Sequence, residues 1–142
     1  MLEKNHTRVI NETLVSGPGI ENTFEAILEL NGKKVYSMQS EDIFSNINNC
    51  KFASQSVDLF FEILGQVAGD FALSIGAFDG ILLTGDLINN HLDLLKSSQF
   101  SKGFINKNDY SGLMKSVPTG VIRLSDMGLN GLLELYKREI KL

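Results

Sequence analysis

Residues 56–77 read SVDLFFEILGQVAGDFALSIGA, a stretch long and apolar enough to be either a membrane span or the central helix of a packed core. Its polar residues decide between the two. Asp58, Glu62, Gln66, Asp70 and Ser74 recur every fourth position, which gathers them into one stripe along a helix. Three carboxylates would be expensive in lipid. The stretch is therefore expected to be a nearly buried helix of a soluble protein, capped by Ser54-Gln55-Ser56, with Asp58 favourably placed in its first turn. Within it, Gly65 and Gly69 lie one turn apart and predict a close crossing with another backbone. Gly76 is the expected stop.

The elements around this helix follow from periodicity and turn chemistry. A short helix is expected over residues 5–15, and the glycines and proline of Gly17-Pro18-Gly19 form the turn after it. In IENTFEAILEL, Ile20, Phe24, Ile27 and Leu28 fall at helical spacing, and Asn31-Gly32 ends that helix. SEDIF, residues 40–44, starts a further short helix. GILLTG, residues 80–85, is an apolar run between glycines and is expected to be a buried strand. Ile88 to Phe100 returns to helical spacing. Residues 101–116 are a polar connection with about one helical turn. Val117 to Leu124 is the second strand, with Pro118 near its start. Asp126 to Lys141 closes the chain as a helix, with Leu129, Leu132, Leu133, Tyr136 and Ile140 on one side. Strand–helix–strand order predicts a parallel pair joined by a right-handed crossover. The class is thus α/β, mostly helical, in a single domain over residues 1–142. Two strands rarely make a sheet alone, so the sheet is expected to be incomplete.

Charge and composition narrow the partners. A net charge of −4, with no basic cluster, argues against nucleic acid or an anionic membrane. Cys50 is the sole cysteine, so no internal disulfide forms. No Cys/His cluster suggests zinc. MLEKNHTRVI lacks the apolar core of a signal peptide, and together these features predict a cytoplasmic protein.

The chemistry-bearing candidates are few. Gly17-Pro18-Gly19 is followed by no Gly-Lys-Ser/Thr, and Asn22 stands where a dinucleotide fingerprint would need its third glycine. A helix-initiating turn is the better reading than a phosphate loop. GILLTGD places Gly85 at the carboxyl end of a strand, where ligands of α/β folds bind and a glycine admits close approach. A plain strand-to-helix turn with Asp86 at the helix start is the competing reading. His6 and His91 are expected on the surface, and Asn108-Asp109 is expected to be a turn rather than a catalytic acid.

Several segments taken together, in order, resemble the C-terminal part of the bacterial glucokinase family, sugar kinases of the hexokinase and actin-like superfamily. RVINETLVSGPG, from Arg8 to Gly19, is similar to the family's R-V-S-x-E-R-V-L-S-G-P-G. LGQVAGDFALSIGAFDGILLTGDLI is similar to G-R-x-x-G-x-L-A-L-x-x-G-A-F-G-G-V-x-x-A-G-G-I. LLKSSQF resembles F-L-K-A-S-x-F, and VPTGVIRLSDMGLNGLLE resembles I-P-V-Y-x-x-x-x-x-x-P-G-L-L-G-A.

The resemblance implies part of a ribonuclease-H-like or actin-like C-terminal domain. In the family, ATP with Mg²⁺ phosphorylates the glucose 6-hydroxyl. It implies that Glu12 is a glucose ligand, since an ionised carboxylate accepts strong hydrogen bonds from sugar hydroxyls. Gly85 matches the first glycine of the adenosine motif, and Asp86 replaces the second. An acid there adds bulk and negative charge near the nucleotide, opposing ATP unless it turns toward solvent. Ile10, Met127 and Asn130 also depart from the family pattern, with local consequences for turns and packing.

The family's phosphate loops, its Asn-Asp pair with the catalytic base and its Glu-Gly-Gly-His sugar motif belong upstream and have no counterpart in this sequence. No catalytic residue and no metal ligand is therefore assigned. The chain is expected to have little or no kinase activity alone. The competing expectation is a non-catalytic remnant that serves as a binding or oligomerisation module. Under either, the faces meant for the missing half predict a homodimer.

Overall fold

The computed structural model describes residues 8–124 and 126–139. In order, the elements are α1 (Asn11–Leu14), α2 (Gly17–Leu30), α3 (Ser40–Ser45), α4 (Lys51–Ile75), β1 (Ile81–Leu83), α5 (Asp86–Asn90) and α6 (Leu92–Ser97). They are followed by α7 (Phe100–Ile105), a 3-10 turn (Asn108–Tyr110), α8 (Ser111–Met114), β2 (Thr119–Val121) and α9 (Met127–Glu139). The result is mostly helical with one two-stranded parallel sheet, as the sequence led one to expect. No helix among the described residues is long and apolar enough to cross a membrane.

The 25-residue helix α4 is the spine. Its polar stripe faces outward as expected, with Asp58, Gln66, Asp70 and Ser74 exposed and Glu62 half-buried. Its start is earlier than expected. Cys50 precedes the first turn, and the Ser54 N–H already donates to the Cys50 carbonyl at 3.0 Å. Ser56 is therefore no cap. It is fully buried, and its hydroxyl donates to the Phe52 carbonyl at 2.7 Å. KFAS contains no glycine or proline to stop the helix from extending backward. At the other end Gly76 takes φ +68°, the left-handed stop that a glycine adopts freely.

The predicted close crossing is formed, and its partner is α7. A Cβ on Gly65 would lie 2.1 Å from the Phe100 carbonyl oxygen, and one on Gly69 would lie 2.6 Å from that of Phe104. From the opposite side, a Cβ on Gly103 would lie 2.1 Å from the Glu62 carbonyl oxygen. The two backbones touch at Gly65 and Gly103, and at Gly69 the Lys107 stem lies beside the contact, 2.6 Å from a Cβ built there. Lysines clamp the rim: Lys102 reaches Glu62 at 3.7 Å, and Lys107 reaches Asp70 at 2.7 Å and the Gln66 carbonyl at 2.8 Å. Helix α7 begins at the end of the helix expected over 88–100 and runs into the segment expected to be a polar connection. Short helices with Ser-rich boundaries hide their period. The Ser98 hydroxyl ends α6 by donating to the Leu95 carbonyl and starts α7 by accepting the Phe100 N–H. The expected single helix over 88–100 is thus split, with a first break at His91.

The helix α2 starts at Gly17, so Gly17-Pro18-Gly19 is its first turn rather than the turn before it. Ser16 caps it, its hydroxyl accepting the Gly19 N–H at 2.9 Å. Pro18 lacks only an N–H that the first turn leaves unbonded. The helix ends where expected, with Gly32 at φ +64° and the Lys33 N–H donating to the Leu28 carbonyl at 3.0 Å. Ile20, Phe24 and Leu28 from α2 meet Ile43 and Phe44 of α3 and Phe60 and Phe61 of α4 in the core. Edge-on ring pairs join Phe44 to both Phe60 and Phe61.

The sheet is less enclosed. Ile81 pairs with Thr119, Leu82 with Gly120 and Leu83 with Val121. Ile81 and Leu83 are half-buried, but Leu82 is 66% exposed, so β1 is not the buried strand expected. Alternate side chains point to opposite faces, and only one face is covered. On α9, Leu129, Leu132, Leu133 and Tyr136 recur as expected, yet all four are exposed. Ile140, and most of the short helix expected over 5–15, lie outside the described residues or outside the four residues of α1.

Candidate functional site

Glu12 sits on α1, a single helical turn held by its neighbours rather than by its own length. The Thr13 hydroxyl accepts the Ile10 N–H at 3.1 Å. The Ser16 hydroxyl donates to the Glu12 carbonyl at 2.8 Å while it caps α2, so one side chain ties the two helices together. The Asn22 amide donates to the Thr13 carbonyl at 3.4 Å. Gly19 allows the approach, since a Cβ there would lie 2.5 Å from the Leu14 carbonyl carbon and oxygen. The GPG sequence thus serves Glu12 by letting α1 lie against α2. Glu12 itself is exposed, and its carboxylate has no partner among the described residues. That leaves it free to accept hydrogen bonds from a ligand.

Gly85 lies at the carboxyl end of β1 and takes φ +126°, ψ +153°. That region is essentially restricted to glycine. A Cβ built there meets nothing within 4 Å, so the glycine is required by the backbone and not by crowding. Its carbonyl accepts the Asn89 N–H at 3.0 Å, starting α5. Asp86 is the first residue of that helix and is exposed. GILLTGD thus forms the strand-to-helix turn, with Gly85 as a bare backbone position at the carboxyl end of β1.

Along α5 and α6 lies a concave surface of about 400 Å³, whose polar lining is Asn89, Asn90, His91, Asp93, Lys96 and Arg123. It was not legible in the sequence, because Arg123 comes from beyond β2. The Asn89 side-chain oxygen is buried and has no hydrogen-bond partner among the described residues. His91 is half-buried rather than on the surface, stacked on the Phe44 ring at 3.8 Å and 11°. Burial lowers its pKa, and the Glu41 carboxylate partly opposes that. His6 lies outside the described residues. Asn108 and Asp109 form the expected exposed turn, with Asn108 at φ +48°.

Glu12 and Gly85 are not brought together by this chain. Helix α1 packs on α2 and α4, whereas Gly85 belongs to the β1–α5 junction. Neither residue, nor Asp86, lines the concave surfaces beside β1, β2 and α6. Among the described residues no group of three His, Cys, Asp or Glu side chains converges as metal ligands would.

Comparison with known proteins gives a consistent result. The family described as Glucokinase matches residues 1–139. The glucokinase of Xanthomonas euvesicatoria pv. vesicatoria (strain 85-10) is 36% identical over 132 residues, covering 92% of this chain and 39% of the relative. That of Stenotrophomonas maltophilia (strain K279a) is 35% identical with the same coverage. The chain therefore spans about two-fifths of the length of the curated relatives it matches. Among solved structures, glucokinase from an Antarctic psychrotroph superposes with a TM-score of 0.86 at 28% identity, over 96% of this chain and 43% of the other. Glucokinase from Balamuthia mandrillaris in complex with glucose gives 0.70 at 21%, over 95% and 38%, a likeness of fold alone.

Proposed function

This chain belongs to the glucokinase family, and from that premise we propose that it is a sugar-kinase module carrying part of a glucose site and part of an adenosine site. In the whole enzyme the reaction is transfer of the γ-phosphoryl group of ATP to the glucose 6-hydroxyl. Glu12 accepts hydrogen bonds from glucose hydroxyls, and Gly85 lets the nucleotide approach the backbone at the end of β1. Asp86 is exposed as the first residue of α5, so its side chain has room to turn away from that approach. The observation that carries the reading is the Glu12 carboxylate, exposed and with no partner among the described residues, on a turn that Ser16, Gly19 and Asn22 hold in place.

Gly85 supports the adenosine part of this reading only as a bare backbone position at the end of β1, and among the described residues no group of His, Cys, Asp or Glu side chains is placed to hold Mg²⁺. Phosphoryl transfer also needs a base within hydrogen-bond reach of the attacking hydroxyl. None is identified in this chain. The resemblance implies that the N-terminal domain and phosphate loops lie in the part of the family pattern that this sequence does not carry. Little or no phosphoryl transfer is therefore expected from the chain alone, while weak glucose binding is. Calorimetry should detect glucose binding that Glu12→Gln weakens by about tenfold. A coupled assay in which the pure chain turned over ATP robustly with glucose would overturn the inactivity.

A second reading is a non-catalytic module that works by self-association. It is favoured by apolar surface that a monomer would leave in contact with water. Leu82, Phe71, Ile75 and the leucines of α9 contribute to that surface. A homodimer covering these faces is the simplest form. Light scattering giving a strict monomer at high concentration would remove this reading, and it would leave glucose binding as the test of the first.

A further inference from the structure

A second concave surface, of about 410 Å³, lies between α6, α7 and β2. Its floor is apolar and firmly built: Leu95 and Phe100 are 7% and 5% exposed, with Val121 beside them. Its rim carries two cations from different elements, Lys96 of α6 and Arg123 beyond β2, and no acidic residue lines it. Lys96 contacts Asp93 at 3.4 Å, but both side chains are mostly exposed, and a pair of that kind holds weakly. Arg123 has no ion-pair partner among the described residues.

We propose that this cleft binds a small organic anion with a flat apolar body, its carboxylate held between Lys96 and Arg123 and its body on Leu95, Phe100 and Val121. The volume is within the range of small-molecule sites, and an apolar floor with a few placed polar groups is their usual make-up. Two exposed cations match one carboxylate. They are too few for a triphosphate, which would also lie on apolar side chains. Ser101 and Thr119 add two hydroxyls to the lining, where the polar end of the same ligand would lie. Arginine suits the carboxylate because its planar fork can pair with both oxygens. The ligand is therefore distinct from the glucose and ATP of the preceding section, and the proposal does not depend on that reading.

The test is titration of the full chain with 1-naphthoate and with its neutral analogue 1-naphthalenemethanol, followed by amide NMR and calorimetry. Saturable shifts at Thr119–Val121 and the start of α7 are expected with the carboxylate. The neutral analogue should bind about tenfold more weakly, and Lys96→Met and Arg123→Met should each weaken the carboxylate by a similar factor. Both substitutions are at exposed positions, and unchanged unfolding midpoints would establish that the variants are folded. Equal binding of the neutral analogue, indifference to both substitutions, or shifts confined to the α9 leucines would overturn the proposal. Displacement of naphthoate by ATP would also overturn it, by making the cleft part of the nucleotide site.

Discussion

The crossing of α4 and α7 and the small sheet with α9 are built on opposite principles. At the crossing, three glycines on two helices bring backbone against backbone, and two lysines close the rim. Nothing can be added there. Around β1, β2 and α9 the reverse holds: Leu82, Leu129, Leu132 and Tyr136 are each more than 60% exposed. The first region is complete within this chain. The second carries apolar surface that only another partner or segment would cover. The difference suggests where to look for each property, stability at the crossing and association at the sheet.

Substitutions can sharpen or break that contrast. The largest effect is expected from Gly65→Ala or Gly103→Ala, where a methyl would meet a main-chain carbonyl oxygen at 2.1 Å. Overpacking that separates two backbones should cost about 3 kcal/mol or more, read as a lower urea midpoint. Gly131→Ala on α9, where a Cβ meets nothing within 4 Å, should instead be neutral or stabilise that helix by up to about 1 kcal/mol. Equal losses at both sites would erase the distinction between the regions.

Next comes Gly85→Ala, which should cost about 1–3 kcal/mol through backbone strain alone, since space is available but φ +126° is not. An unchanged unfolding midpoint would show that the β1–α5 junction relaxes freely.

A smaller effect concerns pH. Burial lowers the His91 pKa in the folded state, so the unfolded chain binds its proton more readily. The contribution of His91 to stability is full above the unfolded value of about 6.5 and declines as pH falls toward the lower folded value. His91→Phe should flatten that slope and retain the ring contact with Phe44. The smallest effect on stability belongs to Leu82→Ser, expected within about 0.5 kcal/mol because the side chain is already in water. The same substitution should weaken self-association in light scattering. A large loss of stability would show that Leu82 is packed rather than exposed.

The elements with strong periodicity were legible in the sequence. The long helix, its outward polar stripe, its glycine stop, the parallel pair and the Asn31-Gly32 end all follow from residues close together in the chain, because spacing and turn chemistry are local. The elements that escaped were short. Helix α7 is six residues between Ser98 and Asn106, too brief to display a period. The start of α4 was misplaced because Ser56 resembles a cap, yet burial gives its hydroxyl a different partner.

For the candidate site, Glu12, Gly85 and Asp86 were recognisable from motif resemblance. The reason for GPG was not, because Gly19 matters only once α1 folds back on α2. By itself, then, the sequence determined the family, the helical spine and which glycines carry positive φ at stops. Only the tertiary structure decided that Gly103 answers Gly65, that Arg123 joins Lys96 over an apolar floor, and that Leu82 faces water. Each of these depends on contacts between residues distant in sequence, which no local pattern encodes.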